Sequence, residues 1–163
     1  MRALALFILL GAALPAAGYD ANGVALGDRE AQLKQQFPSA YCQPLQWKSR
    51  AADRRCDDGK ISFGGIEARI TFYLRKDAVE AFDVRFNTSE LERVTGLLKS
   101  RYGAPLADAR EKIYRKGKEL REIYKARWEK GAERAVLTSQ LGKKRSQLTV
   151  SRGSFEDEIY RVR

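Results

Sequence analysis

Between Ile66 and Leu74 the chain alternates without a break. Ile66, Ala68, Ile70, Phe72 and Leu74 fall on one phase, and Glu67, Arg69, Thr71 and Tyr73 on the other. Successive side chains of a strand point to opposite sides, so such a segment buries one face of a sheet and wets the other. Arg75-Lys76-Asp77-Ala78 reads as a turn, after which Phe82, Val84 and Phe86 resume the alternation. Residues 66–86 are therefore expected to form an antiparallel β-hairpin with one apolar face. That face needs a covering layer.

Two segments offer that cover. Asp28 precedes a short stretch in which Ala31, Leu33, Lys34 and Phe37 make a modest apolar stripe, closed by Pro38. Asp28 is expected to cap its first turn. Ser89-Glu90-Leu91-Glu92 has the S-x-x-E form of a capping box. Leu91, Val94, Leu98, Arg101 and Tyr102 then recur at helical spacing before Gly103 and Pro105. Extended pieces are expected at Tyr41–Trp47 and around Ile61-Ser62-Phe63. Residues 135–140 and 147–151 make a second clear hairpin, turning around Gly142 to Arg145. Lys48 to Asp58 reads as a polar loop, and the charged tail from Phe155 to Arg163 as peripheral. Residues 109–128 fit either a basic amphipathic helix, through Ile113, Gly117, Leu120, Tyr124 and Trp128, or two strands turning at Lys116-Gly117-Lys118.

An internal repeat favours the strands. Gly65–Ile70 matches Gly131–Val136 at an offset of 66, the same offset pairs Phe82-Asp83-Val84 with Leu148-Thr149-Val150, and an offset of 65 pairs Leu33 with Leu98 and Phe37 with Tyr102. The expected class is α+β: two helices on an antiparallel sheet of about eight strands, as a tandem α-β-β-β-β arrangement. Residues 19–88 form the first repeat and 89–163 the second, within one compact domain.

The start of the chain speaks to location. Met1-Arg2 is basic, Ala3 to Leu14 is almost wholly apolar, and Pro15-Ala16-Ala17-Gly18 brings small residues. This is the pattern of a secretory signal peptide over residues 1–18, cut before Tyr19, and it implies a periplasmic or secreted mature chain without a transmembrane segment. Tyr19 stands where a lipoprotein would carry its lipidated cysteine. Cys42 and Cys56, the only cysteines, lie 14 positions apart and are expected to form a disulfide. The chain has no histidine. That removes the usual general base and the Ser-His-Asp and Cys-His sets, so no catalysis, no cofactor and no metal site are expected.

Val24-Ala25-Leu26-Gly27-Asp28, the helix ending at Phe37-Pro38, and Cys42 and Cys56 ahead of a hairpin together resemble the β-lactamase-inhibitor-protein fold. That family duplicates a helix followed by a four-stranded sheet, with a disulfide near the start of each repeat. The small lipoprotein of the outer-membrane barrel-assembly machine has a related module. The resemblance covers most of the mature chain at the level of pattern. It implies the fold and non-catalytic protein binding, but no particular contact residue. The second half departs from it in having no disulfide.

Charge separates the halves: residues 19–88 hold 11 basic and 10 acidic residues, while residues 89–163 hold 19 and 11. An excess of this kind points to an anionic partner. Two binding roles follow. The first is an inhibitor, immunity-type or envelope-assembly protein that presents aromatic and arginine anchors, with Trp47, Tyr73, Tyr124, Arg127 and Trp128 as candidates. The second is a salt-sensitive binder of lipopolysaccharide or anionic lipid through Arg115, Lys116, Lys118, Arg121, Lys125, Arg127 and Lys143-Lys144-Arg145, with Tyr114 and Tyr124 interleaved. The partner is thus expected to be an envelope protein or an anionic envelope polymer. Export and the lack of a recognised motif argue against nucleic acid.

Overall fold

The computed structural model describes residues 18–160. The proposed signal peptide, apart from Gly18, and the end of the tail lie outside these residues. A small hairpin of β1 (Asp20–Ala21) and β2 (Val24–Ala25) leads into α1 (Glu30–Gln36). Four strands follow: β3 (Tyr41–Pro44), β4 (Arg54–Phe63), β5 (Ile66–Arg75) and β6 (Ala78–Asn87). A 3-10 turn at Thr88–Glu90 opens α2 (Leu91–Tyr102). Four more strands, β7 (Ala107–Arg115), β8 (Lys118–Lys130), β9 (Glu133–Leu141) and β10 (Arg145–Arg152), precede the short α3 (Phe155–Glu158).

β3 to β10 form one antiparallel eight-stranded sheet in the order β3-β4-β5-β6-β10-β9-β8-β7. The α+β class and the large antiparallel sheet agree with expectation, and residues 109–128 are strands. There is a third helix, and an extra two-stranded sheet, beyond the two helices and single sheet expected. Each half runs helix then four-strand meander, and the two meanders join where β6 pairs with β10. The offset of 66 relates Asp83 to Thr149, and these two residues face each other in that ladder. Residues related by the repeat therefore meet at the centre of the sheet.

The offset does not hold on the neighbouring strands. Phe72 lies opposite Phe82, whereas Leu137 lies opposite Leu148, so β5 maps onto β9 one residue short of 66. Ala135 and Leu137 accordingly face the core, and Val136 takes the other face. The cause is local. The β5–β6 connection is the two-residue turn Lys76-Asp77, both with positive φ, preceded by a bulge at Tyr73/Leu74, while three residues join β9 to β10.

Both long helices cover one face. Leu33 and Phe37 of the first segment and Leu91, Val94 and Leu98 of α2 are buried against Phe63, Ile70, Phe72, Phe82, Val84, Leu137, Leu148 and Val150. The ring of Phe37 meets that of Phe72 at 5.1 Å. A fully buried side chain of this size contributes about 1.5–3 kcal/mol. Contacts other than the expected caps set the helix starts, one tertiary and the others local. The Asp28 carboxylate accepts the Ala25 N–H at 2.9 Å. The Arg29 N–H goes to Gln32 Oε1, and the Glu30 N–H to Asp77 in the β5–β6 turn. At α2 the Ser89 capping box does not form. Asn87 Oδ1 accepts the Ser89 N–H instead, and the chain makes its 3-10 turn first. Gly103, with φ of 81°, ends α2 as expected.

Two further expectations are corrected. The segment read as a loop to Asp58 is strand from Arg54 onward, because Arg54–Asp58 pairs with Ile70–Leu74. The tail is not peripheral. Phe155 and Ile159 are buried with Ala51, Ala52, Tyr73 and Ala81 in a second cluster on the opposite face of the sheet. The disulfide is present between Cys42 and Cys56, direct neighbours across β3 and β4. Since β3 pairs over only four residues, this bond secures it. Replacing both cysteines by alanine is expected to keep the fold and cost about 3 kcal/mol in urea unfolding. Unchanged stability would show that β3 is held without it.

Candidate functional site

The face of the sheet turned away from α1 and α2 carries charged and polar side chains over much of its extent. α3 and the 45–52 loop close only one end of it, where Trp47 donates Nε1–H to the Ile159 carbonyl at 2.8 Å and stacks on Tyr160. At the middle of the face lies a polar ladder. Arg55 Nε donates to Asp57, Thr71 Oγ1 donates to Asp57, and Thr149 Oγ1 donates to Asp83, each at 2.7 Å. Asp83 is buried, and burial raises its carboxyl above the ordinary value, opposed by the Thr149 hydrogen bond and by Arg85.

Beside the ladder the face turns basic. Arg69 and Arg85 sit directly opposite each other on β5 and β6, both exposed. Like charges so placed repel. Arg85 is partly tied down by Gln147 Oε1 at 3.0 Å and by Asp83 at 4.0 Å, but Arg69 has no acidic partner within 4.0 Å among the described residues. With Arg55 and Arg145 they line a groove of about 930 Å³, whose lining also includes the carboxylates of Asp57, Asp58, Glu67 and Glu90. Lys125 continues the basic character on β8, opposite Thr138, while Arg127, opposite Val136, is paired with Glu129 at 3.4 Å.

A second basic feature projects from the sheet. β8 pairs with β9 only from Glu122 onward, so Ile113–Arg121 forms a two-stranded ribbon beyond β9. Its turn, Lys116-Gly117, takes the positive φ pair of a two-residue hairpin. Tyr114 and Leu120 are 59% and 60% exposed. Lys112 pairs with Glu119 at 3.1 Å, while Arg115, Lys116, Lys118 and Arg121 have no acidic partner among the described residues. The register puts the Lys143-Lys144-Arg145 turn at the same end of the sheet.

The structure thus divides the candidates. Arg115, Lys116, Lys118, Arg121 and Tyr114 share the ribbon, Lys143, Lys144 and Arg145 share its end of the sheet, and Lys125 and Arg127 lie on the open face. Trp47 is half-buried under the tail. Tyr73, Tyr124 and Trp128 are buried and are not exposed anchors. Tyr124 and Trp128 occupy the core phase of β8 with Ala126, and Trp128 Nε1–H is satisfied by the Gly103 carbonyl at 2.9 Å. Tyr73 packs on Phe155, ring centres 5.4 Å apart. Arg55, Arg69 and Arg85 went unsingled in sequence. The available signal was their place on the wet phase of β4, β5 and β6, but only the sheet order brings them together.

Among the described residues the one grouping of metal-binding side-chain types is Glu30 with Cys42 and Cys56. Its sulfurs are joined in the disulfide, and Glu30 is engaged by Arg54. No helix there is long and apolar enough to cross a membrane. No protein family, curated protein or solved structure matches the chain.

Asp83 offers a test of the ladder. Its raised carboxyl means that the unfolded chain ionises first as pH rises. The folded state therefore loses stability from the ordinary carboxylate value up through the raised one, and above it the loss is complete. Asp83→Asn keeps an acceptor for Thr149. It is expected to exceed the parent in stability at neutral pH and to lose that advantage in acid, by urea unfolding at both. A parent more stable at neutral pH would contradict this account.

Proposed function

We propose that this chain is a non-catalytic, exported binding module whose sheet face opposite α1 and α2 receives an acidic protein surface. The observation that carries the reading is the Arg69–Arg85 pair, held side by side by strand register on a face where Arg145 and Lys125 add to the same sign, while Arg127 is paired with Glu129 at 3.4 Å. Assembling like charges costs the free protein stability, and an acidic partner would relieve that cost. The signal-like start supports export to the periplasm or beyond, with cleavage near Gly18, and the disulfide fits an oxidising compartment. The lack of histidine supports a role in binding. The resemblance to an inhibitor fold points the same way.

The test is capture from envelope extract by oxidised protein beginning at Tyr19, followed by affinity measurement on the retained partner. A partner held in fixed ratio at high salt is expected, with an acidic contact surface. Arg69→Glu with Arg85→Glu should weaken it by at least about 30-fold, as for close interfacial charges. Full binding by that variant would exclude this face.

The projecting ribbon favours a second reading, the binding of anionic lipid or lipopolysaccharide. Its four unpaired cations surround exposed Tyr114 and Leu120, a combination suited to a charged interface. Reversing Arg115, Lys116 and Lys118 to glutamate should reduce binding to phosphatidylglycerol vesicles by about 100-fold at low salt, from roughly 1 kcal/mol per cation. The Arg69/Arg85 variant should keep much more of that binding. Equal loss in both variants would mean diffuse charge attraction, and no vesicle binding by the parent would remove the reading.

A further inference from the structure

The first described residues are bound more closely than a connecting segment needs to be. Tyr19 is only 3% exposed, and its ring meets that of Tyr102 at the end of α2 edge-on, 4.6 Å between centres. Ala21 and Val24 of the small hairpin are fully buried beside it. The Tyr19 N–H donates to Glu133 Oε2 at 3.0 Å across 114 residues of sequence. Glu133 opens β9, and its carboxylate forms no ion pair among the described residues. Arg152, its neighbour in register, is taken up by Glu80 at 2.7 Å. The same carboxylate crowds residue 18, where a Cβ would lie 2.6 Å from Oε2 and 3.0 Å from Oε1. Glycine at position 18 leaves the Glu133 carboxylate in place beside the chain, where a larger residue would push its flexible end aside.

We infer that Glu133 is a built receptor for the α-ammonium of Tyr19, created when the Gly18–Tyr19 bond is hydrolysed during export. The inference rests on the exported reading above and adds the residue that receives the new terminus. In the hydrolysis, catalysed by a signal-type endopeptidase, water adds its hydroxyl to the Gly18 carbonyl carbon and the C–N bond breaks. The other water proton goes to the Tyr19 nitrogen, and the proton of the departing Gly18 carboxyl completes the ammonium. A single neutral N–H facing a carboxylate becomes a cation with three donors, and charge-assisted hydrogen bonds are roughly twice as strong as neutral ones. The surroundings suit a cation. Glu133 of β9 and Glu129 of β8 both push the Tyr19 phenol upward, after burial and Tyr102 of α2. The further charged neighbours are Lys130 of β8, opposite Glu133 in register, Asp20 on its own strand and Arg101 of α2, which both act on Tyr102, and Arg152 of β10, which feels Glu133 but is held by Glu80. The processed chain is then more stable than its precursor, and cleavage favours the folded state.

Three measurements test this. The intact mass of protein exported from cells expressing the full chain should correspond to a start at Tyr19; any other start overturns the processing site and the export boundary with it. Thermal unfolding should place the chain beginning at Tyr19 about 2–4 °C above one beginning at Ala16, and E133Q, which keeps an acceptor, should abolish the difference. Equal melting of the two parent chains, or a difference that survives E133Q, overturns the receptor role and leaves export standing. Titration of the Tyr19 amine by NMR should give a value above the usual 7.7–8.0 or so, returning toward it in E133Q. The added stability is then complete below the ordinary amine value and lost as pH rises through the raised one. An unshifted amine also overturns the receptor role.

Discussion

The ladder between β6 and β10 is the contact on which the rest of the structure depends. It joins the two meanders through seven residue pairs and sets the phase of both. Val84 stands opposite Leu148 and Phe82 opposite Val150, so the inner rows of the two halves run together as one apolar surface. A slip of one residue would turn Leu148 and Val150 outward and split the core beneath α1 and α2. On the outer side the same register sets Thr149 against Asp83 and Gln147 against Arg85. The polar centre of the open face is thus a by-product of the pairing that unites the core.

What was legible in the chain was what neighbours in sequence decide. Alternation from Ile66 to Phe86 marked β5 and β6, and Gly103 marked the end of α2. The repeat identified the strands of residues 109–128 where periodicity alone was ambiguous. Most of what escaped depends on distant partners. Asp28 had the side chain of a cap, but a β-turn carboxylate from the distant Asp77 reached the start of α1; at α2 the competitor to the Ser89 box was local, the side chain of Asn87 two residues before it. The tail looked polar because Phe155 and Ile159, set among charged residues, find partners only where Tyr73 and Ala81 reach the outer face. The repeat itself was read one residue out of phase at β9, because turn length and bulges change parity without leaving a composition signal.

The candidate site was legible only in part, for a related reason. Clusters close in sequence, such as Arg115 to Arg121 and Lys143 to Arg145, were visible as charge. The Arg69–Arg85 pair was not, since its members belong to different strands and each is an ordinary wet-phase residue by itself. The aromatic anchors failed the other way. Tyr124 and Trp128 carry polar atoms and suit interfaces, yet their spacing with Ala126 is that of a core row, and burial follows the row.

The two ends of the sheet are finished by opposite means. At one end the outermost strand, β3, is four residues long, ends in Pro44 and is stapled to its neighbour by Cys42–Cys56. At the other, β7 runs nine residues with its outer backbone unpaired among the described strands, and Arg110, Lys112 and Arg115 guard it by charge. Open strand borders invite another chain to add on, and lysine, arginine, proline and short length discourage it. The disulfide therefore has a second consequence beyond stability. Were it reduced, β3 could peel away and bare the backbone border of β4 that it now pairs with. The redox state of that single bond thus governs whether this border of the sheet is covered or open.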